Sequence, residues 1–151
     1  MRLVSESNYD YVKRFADEWI GLHGFDSSFR YFNAPMEHRL DRLKNHLTTV
    51  VVVSEKDEPV GYGHLDEGPD GRVWLGVAVL PEYQRLLIGT QICTYLLEQA
   101  TEKKLKEIWL GVDEKNIPAR RLYRKLGFEV ENMQKEFWLM KKVFDKTKFA
   151  E

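Results

Sequence analysis

The stretch with the clearest chemical potential is Val77-Ala78-Val79-Leu80-Pro81-Glu82-Tyr83-Gln84-Arg85-Leu86-Leu87-Ile88-Gly89-Thr90. An apolar run stops at Pro81, a short polar loop follows, and a helical pattern begins at Ile88, so the order is strand, loop, helix. In that arrangement the N–H groups of Leu86 to Thr90 point outward without intrahelical partners. The helix dipole adds positive potential, and a diphosphate fits there without any lysine. An ordinary strand-to-helix connection is the competing reading, because a lone glycine such as Gly89 is a weak phosphate signal. Proton-accepting groups lie elsewhere. Alternation along strands places Tyr62, His64 and Asp66 on one face, and Trp109, Gly111 and Asp113 on another. Each of these also has an ordinary structural reading. The four histidines share no ligand spacing, so no metal is expected.

The elements that must position these groups follow from periodicity. Arg2 to Val4 suits a short strand, and Ser7 with Asp10 three positions on resembles a capping box. The helix it opens runs to about Ile20, with Tyr11, Val12, Phe15, Trp19 and Ile20 on one face. An aromatic, turn-rich segment from His23 to Asn33 comes next, and a second helix is expected from Pro35 to Leu47. Thr48 to Ser54 and Pro59 to Glu67 read as a hairpin, with Arg72 to Leu80 as a third antiparallel strand buried on both faces. A helix from Ile88 to about Lys103 leads into a strand, Glu107 to Val112, expected to lie parallel to the earlier one. Pro118 to Leu126 is a short helix stopped by Gly127. Phe128 to Met133 and Glu136 to Val143 form a closing hairpin.

Composition narrows the class. A chain of 151 residues with 43% hydrophobic content suits one domain, 1–151, with a sizeable core. A formal net charge of -1 gives no overall pull toward nucleic acid or anionic membrane, so neither is an expected partner. Cys93, the single cysteine, sits in a helical apolar pattern and is read as core in a reducing compartment. With no signal-peptide pattern and no apolar run of spanning length, a cytoplasmic protein is expected.

The order of elements resembles the GNAT superfamily of N-acetyltransferases over nearly the whole chain. Val79 to Gln84 with Ile88-Gly89-Thr90 looks like that family's acyl-CoA pyrophosphate loop. Leu87 stands in place of its first glycine, and Arg85 and Leu86 stand where a glycine and a basic residue are common. The segment Asn116-Ile117-Pro118-Ala119-Arg120-Arg121-Leu122-Tyr123-Arg124-Lys125-Leu126-Gly127-Phe128 is similar to the family's second motif at every main position. The resemblance implies an α/β fold of the GNAT type. Its mixed, mostly antiparallel seven-stranded sheet would hold one splayed parallel pair and be flanked by about four helices.

It also implies the site. Val77, Ala78 and Val79 would run beside the pantetheine arm, with Val77 and Val79 as backbone partners of its amides. Gln84, Arg85, Leu86, Leu87, Ile88, Gly89 and Thr90 would form the diphosphate loop, and Asn116 and Ala119 would line the arm's other side. Asn116 serves equally as an N-cap. Lys115, Arg120, Arg121, Arg124 and Lys125 would face the adenosine phosphates or plain solvent. Tyr123 would protonate the CoA thiolate. The family's two base positions fall on Val73 and Gly111, where no carboxylate stands, so His64, Asp66 and Asp113 become the candidates for accepting the amine's proton. The implied activity is acetyl-CoA-dependent N-acetylation of a primary amine, on a small molecule, peptide or protein, by direct attack in a ternary complex. The alternative is a catalytically degenerate acyl-CoA-binding or protein-interaction module of the same fold. A homodimer is compatible with either.

Overall fold

In the computed structural model, which describes residues 2–5, 9–23 and 46–144, the β-branched run near residue 50 forms strand β2 (His46–Val53). Its valines alternate. Val51 and Val53 pack with Val12, Phe15 and Trp19 of helix α1 (Tyr9–His23), whereas Val50 and Val52 pack with Ile92 and Leu96 of helix α2 (Ile88–Glu102). Burial on both faces is the reason this run carries no charge. Each fully buried Ile or Leu in these layers contributes roughly 1.5–3 kcal/mol.

The remaining strands are β1 (Arg2–Ser5), β3 (Pro59–Glu67), β4 (Val73–Val79), β5 (Glu107–Asp113), β6 (Glu129–Gln134) and β7 (Phe137–Val143). They form one seven-stranded sheet in the order β1-β2-β3-β4-β5-β7-β6. All neighbours are antiparallel except β4 and β5, which are parallel and register at one pair, Trp74 opposite Trp109. The sheet and its splayed pair match the sequence expectation.

The helices require correction. Three α-helices are seen among the described residues, the third being α3 (Ile117–Lys125). The helix expected over Pro35 to Leu47 lies outside the described residues except at its end, where His46 and Leu47 open β2 instead. The loop after β4 is ordered as a 3-10 helix, Pro81–Leu86, with proline in its first turn. Short runs of this kind bring no apolar period that a sequence pattern could reveal.

Close approach fixes α2 on the sheet. A Cβ on Gly61 would stand 2.8 Å from Cγ2 of Ile88 and 3.0 Å from Cδ1 of Ile92, so β3 is bare where the helix crosses it. That contact seats the start of α2 beside the end of β4.

Candidate active site

The site is built from strand geometry. The N–H of Leu80 donates to the carbonyl of Val60 on β3 at 3.0 Å. Backbone groups alternate sides along a strand, so Ala78 and Gly76 also turn toward β3, and the N–H and C=O groups of Val77 and Val79 turn toward β5. Because β5 registers with β4 only at Trp74 and Trp109, it does not reach them. The carbonyl of Val79 is taken instead by Nε2 of Gln84 at 3.1 Å, which ties the loop to the strand.

A cleft of about 330 Å³ opens in this gap. One wall is Val77, Ala78, Val79, Gln84, Leu87, Gly89 and Thr90, and the other includes Gly111, Asp113, Asn116, Ala119 and Tyr123. Most of the residues anticipated for acyl-CoA therefore meet in one place. Ile88 does not show its side chain there: it is buried in the core against Gly61, which leaves only its backbone for a ligand. Arg85 and Leu86 lie in the 3-10 helix, and their side chains fall outside the described part of the structure.

At the start of α2 no side chain caps the helix and no acid sits in its first turn. The first intrahelical bond runs from Gln91 N–H to the Leu87 carbonyl at 3.0 Å. The N–H groups of Ile88, Gly89 and Thr90 are the orphan donors of an ordinary helix start, and Gly89 and Thr90 line the cleft at the positive end of the dipole. Leu87, at the junction of the two helices, has φ 62° and ψ 19° and is 73% exposed. Its left-handed backbone explains why a glycine is common at this position.

Across the gap, Asn116 caps α3 by accepting the N–H of Ala119 at 3.3 Å, so the N-cap reading holds. Tyr123 projects from α3, 8% exposed, with its ring edge-on to Phe128 at 5.9 Å. Its hydroxyl has no hydrogen-bond partner among the described residues. Burial pushes the phenol above its ordinary range, with a smaller contribution from Cys93, so it stays protonated at neutral pH.

The proton acceptors fare unevenly. Asp113 lines the cleft, but its Oδ1 accepts the N–H of Lys115 at 2.8 Å, closing a turn. His64 does not line this cleft. It is 5% exposed and its Nδ1 lies 2.7 Å from the Tyr62 hydroxyl, while its ring lies tilted against that of His46, centroids 4.6 Å apart. Asp66 pairs across β3 and β4 with Trp74, away from the Val77 edge. Of the basic cluster, Arg120 is committed: it lies 4.0 Å over the Trp138 ring and donates to the Glu114 carbonyl at 2.6 Å.

A second groove of about 700 Å³ runs between α1 and the 3-10 helix. Asp17, Glu18, Glu58 and Glu82 line it with Arg14 as the sole cation among the lining residues, a charge balance that repels a diphosphate. Among the described residues no group of His, Cys, Asp and Glu is arranged to hold a metal, and no helix is long and apolar enough to cross a membrane.

The model of the acetyltransferase (GNAT) family matches residues 11–128. The chain belongs to the GNAT acetyltransferase family. It is 31% identical over 84 residues to the [ribosomal protein bS18]-alanine N-acetyltransferase of Haemophilus influenzae, covering 56% of this chain and 57% of that relative. It is 30% identical to an N-alpha-acetyltransferase of Sulfurisphaera tokodaii, covering 70% of this chain and 71% of the relative. In three dimensions the GNAT fold is shared with PaiA N-acetyltransferase from Thermoplasma acidophilum, crystallised with coenzyme A. There the TM-score is 0.73 at 17% identity, covering 95% of this chain and 100% of that one. An acetyltransferase from Salmonella typhimurium, solved with acetyl-CoA, gives 0.75 at 17% identity, covering 96% and 94%.

Two features of this GNAT site escaped the sequence reading. Phe137 of β7 lays its ring over Gly111, its Cε1 2.7 Å from where a Cβ would stand. The tetrapeptide Trp-Leu-Gly-Val occurs both at 74–77 and at 109–112, in the two parallel strands and in register. That repetition was the available signal, too short to register as a structural repeat.

Proposed function

We propose that this protein transfers the acetyl group of acetyl-CoA to a primary amine. The observation that carries the reading is the β4/β5 gap, where the β4 edge at Val77 and the Val79 N–H has no partner strand and Tyr123 stands opposite. An amide-bearing arm can add to that edge as a further strand. Acetyl-CoA supplies the activated thioester. Ile88, Gly89 and Thr90 hold the diphosphate through N–H donors, in keeping with an uncapped helix start that carries no acid. Gln84 braces the loop through Val79. The acceptor nitrogen attacks directly, so the chief rate contribution is orientation of amine against thioester. Tyr123, buried and neutral, gives its proton to the departing thiolate.

A non-catalytic acyl-CoA-binding module is the second reading, favoured by Leu87 in the loop and by Gly111 where some relatives place a base. Calorimetry with acetyl-CoA, followed by thiol release against a panel of amines, separates the two. Micromolar binding with turnover supports the enzyme, and no binding at millimolar acetyl-CoA rejects it. The similarity to a ribosomal-protein alanine N-acetyltransferase and to an N-alpha-acetyltransferase puts peptide acceptors in the panel beside small-molecule amines.

A further inference from the structure

The gap between β4 and β5 has a closed end, and the backbone fixes which part of a donor meets it. The N–H donors for the diphosphate stand at the start of α2, beside the end of β4, and the unpaired β4 edge runs back from the Val79 N–H to Val77. An arm laid along that edge carries its thioester past Val77 toward Leu75. There the strands rejoin at Trp74 and Trp109, whose ring centroids are 6.1 Å apart. The acyl group is therefore the part that enters the narrowing end.

Both faces of that end are filled. On the α2 side Leu75, Ile108 and Leu110 are buried in the packed core. Alternation brings Trp74, Gly76, Trp109 and Gly111 to the other side. The room that the two glycines leave is taken up by rings from the neighbouring strands. A Cβ on Gly76 would stand 2.5 Å from Nε2 of His64, and one on Gly111 would stand 2.7 Å from Cε1 of Phe137. Trp109 is itself held in place: Arg72 lies 4.4 Å over its ring, Lys141 lies 5.0 Å from it, and its indole N–H donates to Oε1 of Glu107 at 3.4 Å. Gly111 is exposed and lines the cleft with Val77 and Val112, so the Phe137 ring seated on it bounds the space open to an acyl chain.

We propose that Phe137, seated on Gly111, sets the length of acyl group this protein accepts from a CoA thioester and holds it to acetyl. This rests on the acetyltransferase reading and adds to it the residue that selects the donor. An acetyl methyl ends before the strands close. Each further methylene must displace the Phe137 ring or wedge toward the contact between Trp74 and Trp109, and a close-packed interior resists both. Removing the ring opens the Gly111 side and leaves the β4 edge and the helix start untouched. The diphosphate and the arm therefore bind as before, and only the fit of the acyl group changes.

The test titrates the full chain calorimetrically with CoA, acetyl-CoA and butyryl-CoA, so no acceptor need be known. The wild-type protein should bind butyryl-CoA about tenfold or more weakly than acetyl-CoA. In Phe137→Ala the two thioesters should bind within about threefold of each other, with the affinity for CoA itself within about twofold of wild type. The ratio of the two thioesters is the decisive readout, because a general loosening of the site would weaken both together. Equal binding of acetyl-CoA and butyryl-CoA by the wild-type protein, or a ratio unmoved in Phe137→Ala, overturns the proposal and leaves the acetyltransferase reading standing. Failure of the wild-type protein to bind CoA or acetyl-CoA removes both. Where Phe137→Ala does not fold, Phe137→Leu keeps more of the volume and should move the ratio in the same direction by about threefold; an unmoved ratio there overturns the proposal equally.

Discussion

The ring of Phe137 occupies the space that a side chain on Gly111 would need, with Cε1 2.7 Å from the would-be Cβ. The two residues sit on adjacent strands, β5 and β7, whose register pairs Asp113 with Phe137. Gly111→Ala should therefore destabilise the fold by about 1–3 kcal/mol through overpacking. Combining it with Phe137→Ala should return part of that loss, because the ring that must move is gone. A double-mutant cycle by urea unfolding measures the coupling. Strictly additive effects would show that the ring yields freely.

Leu87 offers a stabilising substitution. Its φ of 62° costs a side-chain-bearing residue about 1–2 kcal/mol, and its side chain is 73% exposed, so little packing is lost on removal. Leu87→Gly should gain about 0.5 kcal/mol net, after the glycine's own entropy cost. It should also tighten CoA binding by shortening the approach to the N–H groups of α2. Leu87→Ala clears the cleft without relieving the backbone. Tighter binding in both variants with added stability only in the glycine variant separates the two effects, and thermal melts with calorimetry read them. Unchanged stability in Leu87→Gly would mean the left-handed turn is not under strain.

The extent to which this architecture could be anticipated follows from where periodicity operates. The bounds of β3 were legible because the polar turn Glu55 to Glu58 precedes Pro59 and the turn Gly68 to Gly71 follows Glu67, and α3 was legible because Pro118 and Gly127 punctuate it. Gly127, at φ 99°, is the residue that lets the chain leave the helix. The 3-10 helix was not legible, since six residues from Pro81 to Leu86 bury no periodic face. Nor could alternation decide where His64 would point. The same pattern that places it beside Tyr62 serves a buried imidazole bonded to a hydroxyl as well as one open to substrate. Asn116 was ambiguous for a similar reason, as one amide serves cap and ligand alike.

Tyr123 should separate chemistry from binding. Its phenol is neutral, lines the cleft and makes no hydrogen bond among the described residues, so removing the oxygen disturbs no structural partner. Tyr123→Phe is expected to lower kcat by about 100-fold or more, within the usual span for a general acid, and to leave the acetyl-CoA KM nearly unchanged. Steady-state kinetics with a saturating amine checks this. Equal turnover in the two proteins would remove the tyrosine from the acid role.

Cys93 makes a further prediction about alkaline stability. It is fully buried on α2, and burial pushes its thiol from about 9.0 up to about 12. The unfolded chain releases this proton near pH 9 while the folded chain keeps it. The stability held below pH 9 is therefore lost as pH rises toward 12, by about 1.4 kcal/mol per pH unit. Tyr123 adds a loss of the same sign at higher pH, again because burial favours its neutral form. Cys93→Ala leaves a small cavity and should be less stable than the wild-type protein at pH 7. The titrating group is absent from that variant, so the difference should shrink above pH 9 and reverse as pH climbs further. Urea unfolding at neutral and alkaline pH follows the two curves. If they run parallel, the thiol is not kept protonated by burial, and the close packing of α2 on β3 is looser than the glycine contacts imply.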